Sequence, residues 1–319
     1  GRAARAGRRA AADASTPGGV GASMPGGPAD ARVVVEERLG IGGRATPASG
    51  ARRTPGADFD LAAGLLSTGS IAARREDIES IRHWSSPNVV RVALAGGARV
   101  DLQRLQRHFY STSSCGVCGK ASIDALRVNA EPLDDDVRVP ASLLLSLPDA
   151  LRAKQTAFET TGAIHGAAVF TRDGTLLRVA EDVGRHNAVD KVIGSLFLDG
   201  ASAGILVVSG RTSFEIVQKC VVARIPILVA VGAPSSLAIE LAHEFRLTLL
   251  GFVRDGRCNV YAGAERLSSG AVPSLPNRDQ SDGGRPTASS RSRVGVGPGP
   301  TGEGPGDRGW TQPPRCRMG

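Results

Sequence analysis

The sequence predicts an α/β protein: a mainly parallel sheet with helices on both faces, preceded by a smaller α+β domain. Two observations carry that reading. Between positions 164 and 262, fully apolar strand-length runs alternate with segments whose apolar residues recur every three or four positions, as expected of a buried sheet covered by amphipathic helices. Upstream of about Pro140 the pattern changes to short strand runs, turns and one short helix.

Taken in order, residues 1–30 are dense in Gly, Ala, Arg and Pro with almost no large apolar side chain. Such a segment cannot bury enough surface to offset its chain entropy, so a disordered tail is expected. Residues 31–139 are expected to form the small domain. It holds a strand at Arg32-Val33-Val34-Val35, a Thr54-Pro55-Gly56 turn and a short helix with Phe59, Ala62, Leu65 and Leu66 on one side. Strands follow at Val89 to Leu94 and Arg99 to Leu102, and the unit ends in a loop with two cysteines and a helix after it.

Residues 140–267 form the larger unit. A hairpin joins Ile164 to Phe170 and Leu176 to Glu181 across Arg172-Asp173-Gly174. The helix from Arg185 to Leu198 aligns Ala188, Val189, Val192, Ile193, Leu196 and Phe197 on one stripe. Strand Gly204 to Val208, helix Ser213 to Arg224, strand Ile227 to Val231, helix Ser236 to Phe245 and strand Leu247 to Val253 follow. A last hairpin turns at Arg254-Asp255-Gly256-Arg257 into Cys258 to Ala262, and residues 268–319, with aperiodic Gly, Pro, Ser and Arg, read as a second disordered tail.

The net charge of +8 suggests nucleic acid until it is divided along the chain. Residues 1–55 hold nine Arg against four acids and residues 264–319 eight against five, which leaves 22 basic and 22 acidic residues between them. A neutral body lacks the electrostatic footprint of a duplex-binding domain, so no nucleic-acid partner is expected. No stretch approaches the roughly 18 to 20 apolar residues a bilayer crossing needs. The Arg-bearing N-terminus also lacks the apolar run of a secretion signal, and a cytoplasmic location is expected.

Five cysteines do not make a disulfide scaffold. Cys115 and Cys118 form the close pair, in Ser111-Thr112-Ser113-Ser114-Cys115-Gly116-Val117-Cys118-Gly119-Lys120. Amides at the start of the following helix, with Lys120, would stabilise a thiolate, the nucleophilic form. Four uses compete. A disulfide oxidoreductase wants the pair after a thioredoxin-type strand. A zinc site wants a second close pair, and Cys220 and Cys258 are 38 positions apart. A purely structural pair fits poorly in a Gly-flanked polar loop. Covalent sulfur chemistry, with a thiolate carrying sulfane sulfur as a persulfide, needs only the features present. Cys220 aligns with Ile216 and Val217 and reads as a packing residue, Cys258 as a strand residue.

Other segments sit at chain crossings. Glu181-Asp182-Val183-Gly184-Arg185-His186-Asn187 lies where a strand meets a helix, the edge at which open α/β sheets hold ligands, or else is a solvated, capped helix start. His165 could face the same edge. Ser209-Gly210-Arg211-Thr212-Ser213 offers amides and a guanidinium to a phosphate, or a plain cap, and Gly232-Ala233-Pro234-Ser235-Ser236 repeats the geometry. Phe252-Val253-Arg254-Asp255-Gly256-Arg257 could stack on a purine and grip phosphates, though by itself it reads slightly better as an ordinary exposed hairpin.

Together these segments resemble the FdhD-type formate dehydrogenase accessory sulfurtransferases. The resemblance runs from Arg53-Thr54-Pro55-Gly56 with Asp58 to Gly64, through the Cys115 loop, Thr161 to His165, Glu181 to Gly194 and Ser209 to Ser213, to Gly251-Phe252-Val253-Arg254. It implies a cytidine-deaminase-like fold for the larger domain and a cytoplasmic homodimer. It also implies sulfur taken from a cysteine desulfurase and delivered to the molybdenum bis(molybdopterin guanine dinucleotide) cofactor of formate dehydrogenase. By the same resemblance Cys115 carries the persulfide, Cys118 acts in relay or regeneration, and Phe252, Val253, Arg254, Asp255, Gly256 and Arg257 contact the cofactor as bound substrate. No resident metal is implied, because the His-x-Glu and Pro-Cys-x-x-Cys elements of zinc deaminases are not found here. The alternative is a cofactor-binding chaperone with no chemistry at sulfur.

Overall fold

A computed structural model describes residues 13–15, 32–42, 47–95, 130–134, 138–268 and 315–316. Among the described residues, the first part pairs β1 (Asp13–Ser15) with β2 (Arg32–Val34), then builds a four-stranded sheet with an α-helix against it. Its elements are β3 (Glu37–Gly42), β4 (Pro47–Arg53), α1 (Asp58–Thr68), β5 (Ile78–Trp84) and β6 (Ser86–Leu94), with sheet order β4-β3-β6-β5. Alternate residues Leu39 and Ile41 of β3 and Val90 and Val92 of β6 face Leu61, Ala62 and Leu66 of α1.

The predicted stripe of α1 is corrected in one respect. Phe59 is 37% exposed and stacks on His83 with ring centroids 4.8 Å apart, whereas Leu61, Ala62, Ala63 and Gly64 are all buried. The helix is covered by its own sheet on one side and by a second helix on the other, so its buried arc is wider than one stripe. β3 and β4 escape a sequence reading because glycines and arginines stand on the face turned from α1, and β5 because charged and polar residues interrupt its few apolar ones. The strand expected at Arg99 to Leu102 lies outside the described residues.

The second part begins with β7 (Val139–Pro140), α2 (Ala141–Arg152) and α3 (Thr156–Thr161). There follow β8 (His165–Phe170), β9 (Leu176–Asp182), α4 (Arg185–Asp199), β10 (Ile205–Val208) and α5 (Phe214–Val222). The chain continues through β11 (Ile227–Ala230), α6 (Ser236–Glu244), β12 (Thr248–Arg254) and β13 (Arg257–Ala262). β14 (Leu267–Ser268) pairs with β7, and β15 (Arg315–Cys316) with β13. The large sheet runs β15-β13-β12-β11-β10-β8-β9.

This sheet is mixed and not mainly parallel, a correction to the sequence expectation. Within this sheet only β10/β11 and β11/β12 pair in parallel among the described strands; β8/β9, β8/β10, β12/β13 and β13/β15 are antiparallel. The physical reason is connection length: tight turns join β8 to β9 and β12 to β13, and a tight turn can join only antiparallel neighbours. Parallel pairing survives where α5 and α6 supply the crossovers.

Helices cover both faces, as expected. Ala188, Val192, Ile216, Val217, Cys220, Leu241 and Ala242 of α4, α5 and α6 pack on one face with Leu206, Leu228 and Leu249. Leu144, Leu147 and Leu151 of α2 cover the other, against Phe170, Ile205, Val207 and Val229. Burial accounts for Cys220, whose thiol is pushed far above its ordinary range.

The two parts are joined by close backbone approach and by buried charge. A Cβ on Gly64 of α1 would lie 1.9 Å from the Asp190 carbonyl oxygen, and one on Gly194 of α4 would lie 1.8 Å from that of Asp60. Only glycine fits at either point. Beside them Lys219 donates to Asp190 at 2.7 and 2.9 Å, and the Thr68 hydroxyl donates to Asp190 at 3.0 Å. Within the first part Arg53, 1% exposed, fixes the start of α1 to its sheet, donating to both carboxylate oxygens of Asp58 at 2.8 and 3.0 Å and to Asn88 at 2.9 Å.

Candidate functional site

The antiparallel β8 and the parallel β10, β11 and β12 bring the start of one strand and the ends of three to the same edge of the large sheet. Thr212 and Pro234 form a parallel bridge between the loops that follow β10 and β11. Within it the Thr212 amide donates to the Ala233 carbonyl at 3.1 Å, the Ser235 amide to the Thr212 carbonyl at 2.9 Å and the Gly232 amide to the Gly210 carbonyl at 3.1 Å. A Cβ on Gly232 would lie 2.8 Å from the Arg211 amide nitrogen, so the contact requires glycine. β8 joins through the Gly166 amide, which donates to Ser209 Oγ at 2.9 Å, and the Ser209 amide, which donates back at 3.0 Å.

The end of β9 and the start of α4 complete the edge. His165 is register partner to Asp182, and Gly210 leaves room for its ring, because a Cβ there would lie 3.2 Å from Nδ1. Burial, with Arg185 and His186 beside it, holds the His165 imidazole below its ordinary value, Asp182 opposing them. His186 Nε2 lies 3.1 Å from Ser213 Oγ and 3.7 Å from Glu215 Oε2. Burial alone would raise the Glu215 carboxyl; the His186 ring, the Ser213 side chain and its own amide outweigh burial and hold it down at about 2. The first-turn carboxylate therefore stays ionised.

Polar atoms at this edge are left over. Arg185 Nε, Thr212 Oγ1 and Glu215 Oε2 are buried without a hydrogen-bond partner among the described residues. Buried polar atoms are nearly always paired; the Arg185 and Thr212 donors, with the loop amides at helix starts, favour an anionic partner, whereas the Glu215 carboxylate can only accept and suits a donor. Arg211 is exposed on the same rim.

The Phe252–Arg257 hairpin grows from this edge. The Phe252 amide donates to the Gly232 carbonyl at 3.2 Å, and a Cβ on Gly251 would lie 2.9 Å from Pro234 Cδ. Arg254 is register partner to Arg257, and Asp255 and Gly256 between them have φ of 53° and 67°. Two successive positive φ values are the geometry of a two-residue hairpin turn, for which Asp-Gly is suited. Val253 is buried, while Phe252 is 41% exposed with φ 54°. That strained backbone turns an aromatic ring outward beside the loops.

Of the residues expected from sequence, the structure brings together Glu181 to His186, His165, Ser209 to Ser213, Gly232 to Ser236 and the Phe252 hairpin. Two assignments change. Glu181 accepts from the Ala157 and Phe158 amides, both at 2.9 Å, and so caps α3. Ser213, at the N-cap of α5, makes no side-chain bond to the helix amides and meets His186 instead. Cys115 and Cys118, with Lys120, lie outside the described residues. Sequence reasoning missed Glu215, whose partner His186 is 29 positions upstream.

The fold and site define an α/β protein with an anion-suited rim at a sheet edge, made of two interlocked crossover loops, a histidine pair and an aromatic-arginine hairpin. The chain belongs to the FdhD/NarQ family, whose model matches residues 34–268. It is 49% identical over 250 residues to the sulfur carrier protein FdhD of Streptomyces coelicolor, covering 74% of this chain and 89% of that one. It is 42% identical over 278 residues to the sulfur carrier protein FdhD of Anaeromyxobacter dehalogenans, covering 82% and 96%. Among solved structures it resembles a candidate formate dehydrogenase accessory protein from Desulfotalea psychrophila, with a TM-score of 0.61, 26% identity, and 75% and 92% of the two chains covered.

Proposed function

We propose that this chain is a sulfur carrier for formate dehydrogenase. It accepts persulfide sulfur from a cysteine desulfurase on Cys115 and passes it to molybdenum bis(molybdopterin guanine dinucleotide) held as substrate at the sheet edge. The observation that supports this most is the convergence of Arg185, Arg211, the two crossover loops and the Phe252–Arg257 hairpin on one rim. A dinucleotide brings phosphates and a purine together, and the rim offers guanidinium groups beside an exposed aromatic ring. The names of the two relatives agree with the reading.

In the first step the Cys115 thiolate attacks the terminal sulfur of the donor persulfide. The donor S–S bond breaks, a new one forms at Cys115, and the donor cysteine leaves as a thiolate. Attack by the Cys118 thiolate on the inner sulfur would then close a Cys115–Cys118 disulfide and release the outer sulfur as hydrosulfide to the cofactor; a thiol reductant restores the pair. Arg254 and Arg257 hold phosphate, and Phe252 stacks on the guanine. The same reading includes a cytoplasmic homodimer.

Incubation with a cysteine desulfurase and labelled cysteine should add about 32 Da to the peptide containing Cys115, a gain absent from Cys115→Ala. That variant should still bind the cofactor and fail to restore formate dehydrogenase in cells lacking the native accessory protein. No mass gain, with cofactor binding intact, would replace the carrier by a chaperone that shields the cofactor without sulfur chemistry.

A further inference from the structure

The four-stranded sheet has a second face, turned away from α1, that the sulfur-carrier reading does not use. Leu39, Ile41, Val90 and Val92 point to the core, so their neighbours along β3 and β6 point outward. On this outer face Arg38 stands directly opposite Arg52, and Arg82 directly opposite Arg91. Like charges in directly opposed cross-strand positions destabilise a sheet, and here two such pairs share one face, offset along the strands because the β3 neighbour of Arg91 is Gly42 and not Arg38. Glu36, 3.7 Å from Arg52, offsets one of the four charges.

Trp84 stands beside them. Its ring is 44% exposed, with the Arg91 guanidinium carbon 3.6 Å and that of Arg82 5.6 Å from its centroid. The ring holds both arginines close and is itself held in place. Between the arginine pairs the surface is flat: Gly40 pairs with Gly50 on one side and with Val89 on the other, and Gly42 pairs with Arg91. A positioned tryptophan among arginines on a flat surface is the residue class that dominates binding energy at protein interfaces.

We propose that this face docks a protein partner through an acidic surface patch with an apolar residue at its centre. Carboxylates would relieve both like-charge pairs, and the apolar residue would cover Trp84. Charge decides against the other occupants. A second copy seated face to face would oppose arginines with arginines, and a nucleic-acid groove would need charge extended along a duplex, which the neutral body of the chain does not supply. The proposal goes beyond the carrier reading and does not depend on it.

The test uses the full chain with Trp310→Phe, which leaves Trp84 as its single tryptophan. The probes are a Glu-rich synthetic peptide interrupted by Leu and a duplex oligonucleotide of similar charge, titrated while Trp84 emission is followed. The Arg-rich flanks are kept in every variant, so differences between variants report the face alone. The expected result is a change in emission with the peptide, and affinity that falls about tenfold in R82E/R91E and fades as salt rises from about 0.05 to about 0.5 M. Isothermal calorimetry of Trp84→Ala should show a similar loss. If R82E/R91E does not fold by circular dichroism, R38E/R52E replaces it. No response to the peptide, or equal affinity in the reversed variant, overturns the proposal. So does tighter binding of the duplex at the same residues, or a self-associated state abolished by Trp84→Ala.

Discussion

Asp182 and Lys191 form a 2.7 Å ion pair with side chains 0% and 3% exposed. The pair spans the end of β9 and the second turn of α4, and Thr54 of the first layer completes it. The Thr54 amide donates to Asp182 at 3.1 Å, its carbonyl accepts from Lys191 at 2.9 Å, and its hydroxyl accepts from the Val183 amide at 3.0 Å. Asn187 adds a 3.0 Å bond to Asp182. Lys191→Met strands a buried carboxylate and should cost roughly 3–5 kcal/mol in urea unfolding. The double variant D182N/K191M should lose less than the sum of its singles, because each single leaves the other group unpaired. Additive losses would mean that the two groups do not act as a pair.

Gly194→Ala should be as damaging by a different route. Its new methyl group would overlap the Asp60 carbonyl, which is backbone in a packed helix and cannot rotate away. A loss of at least about 3 kcal/mol is expected, read as a lower denaturation midpoint. Gly200→Ala is the comparison: nothing lies within 4 Å of that position, although its φ of 63° adds some strain.

Glu215 ties stability to acidity. Its folded carboxyl is held at about 2 against an ordinary 4.5, so its contribution is complete above the ordinary value and is lost as pH falls toward the folded one. The difference in melting temperature between the native chain and Glu215→Gln should therefore be constant above about pH 5.5 and shrink on further acidification. A difference unchanged down to about pH 3 would show that the carboxylate is not held ionised by its neighbours.

On the proposed rim, R254E/R257E changes exposed turn residues and should leave the fold intact. Guanosine diphosphate, a probe for the guanine and phosphates of the dinucleotide, should bind at least about tenfold more weakly by calorimetry, as expected for loss of a charge-assisted hydrogen bond. Unchanged affinity would remove the hairpin from the site.

Much of the larger sheet was legible because its segments are locally consistent. Ile205–Val208 and Ile227–Ala230 are short, fully apolar and bounded by turn residues, and Arg185–Asp199 shows its stripe plainly. The pairing direction was less legible, since an apolar strand looks alike whichever way its neighbour runs. The first sheet was harder to read: in Glu37–Gly42 two of six residues are buried, and the rest are charged residues or glycine. At the site, sequence located the strand-to-helix crossings, because glycines and polar clusters punctuate them. It did not disclose that Arg52 and Thr54 serve as a joint between the two parts. That role arises from Asp182, Asn187 and Lys191, more than 120 positions away, and no local pattern encodes so distant a partner.

The missing side chain of Gly232 has a mechanical consequence. With the Gly210 peptide pressed against it and the Phe252 amide bonded to its carbonyl, three chain segments are locked into a single ledge. None of the three can shift without dragging the others. A push on one crossover would therefore carry through to the neighbouring crossover and to the aromatic ring, so the three respond as one piece.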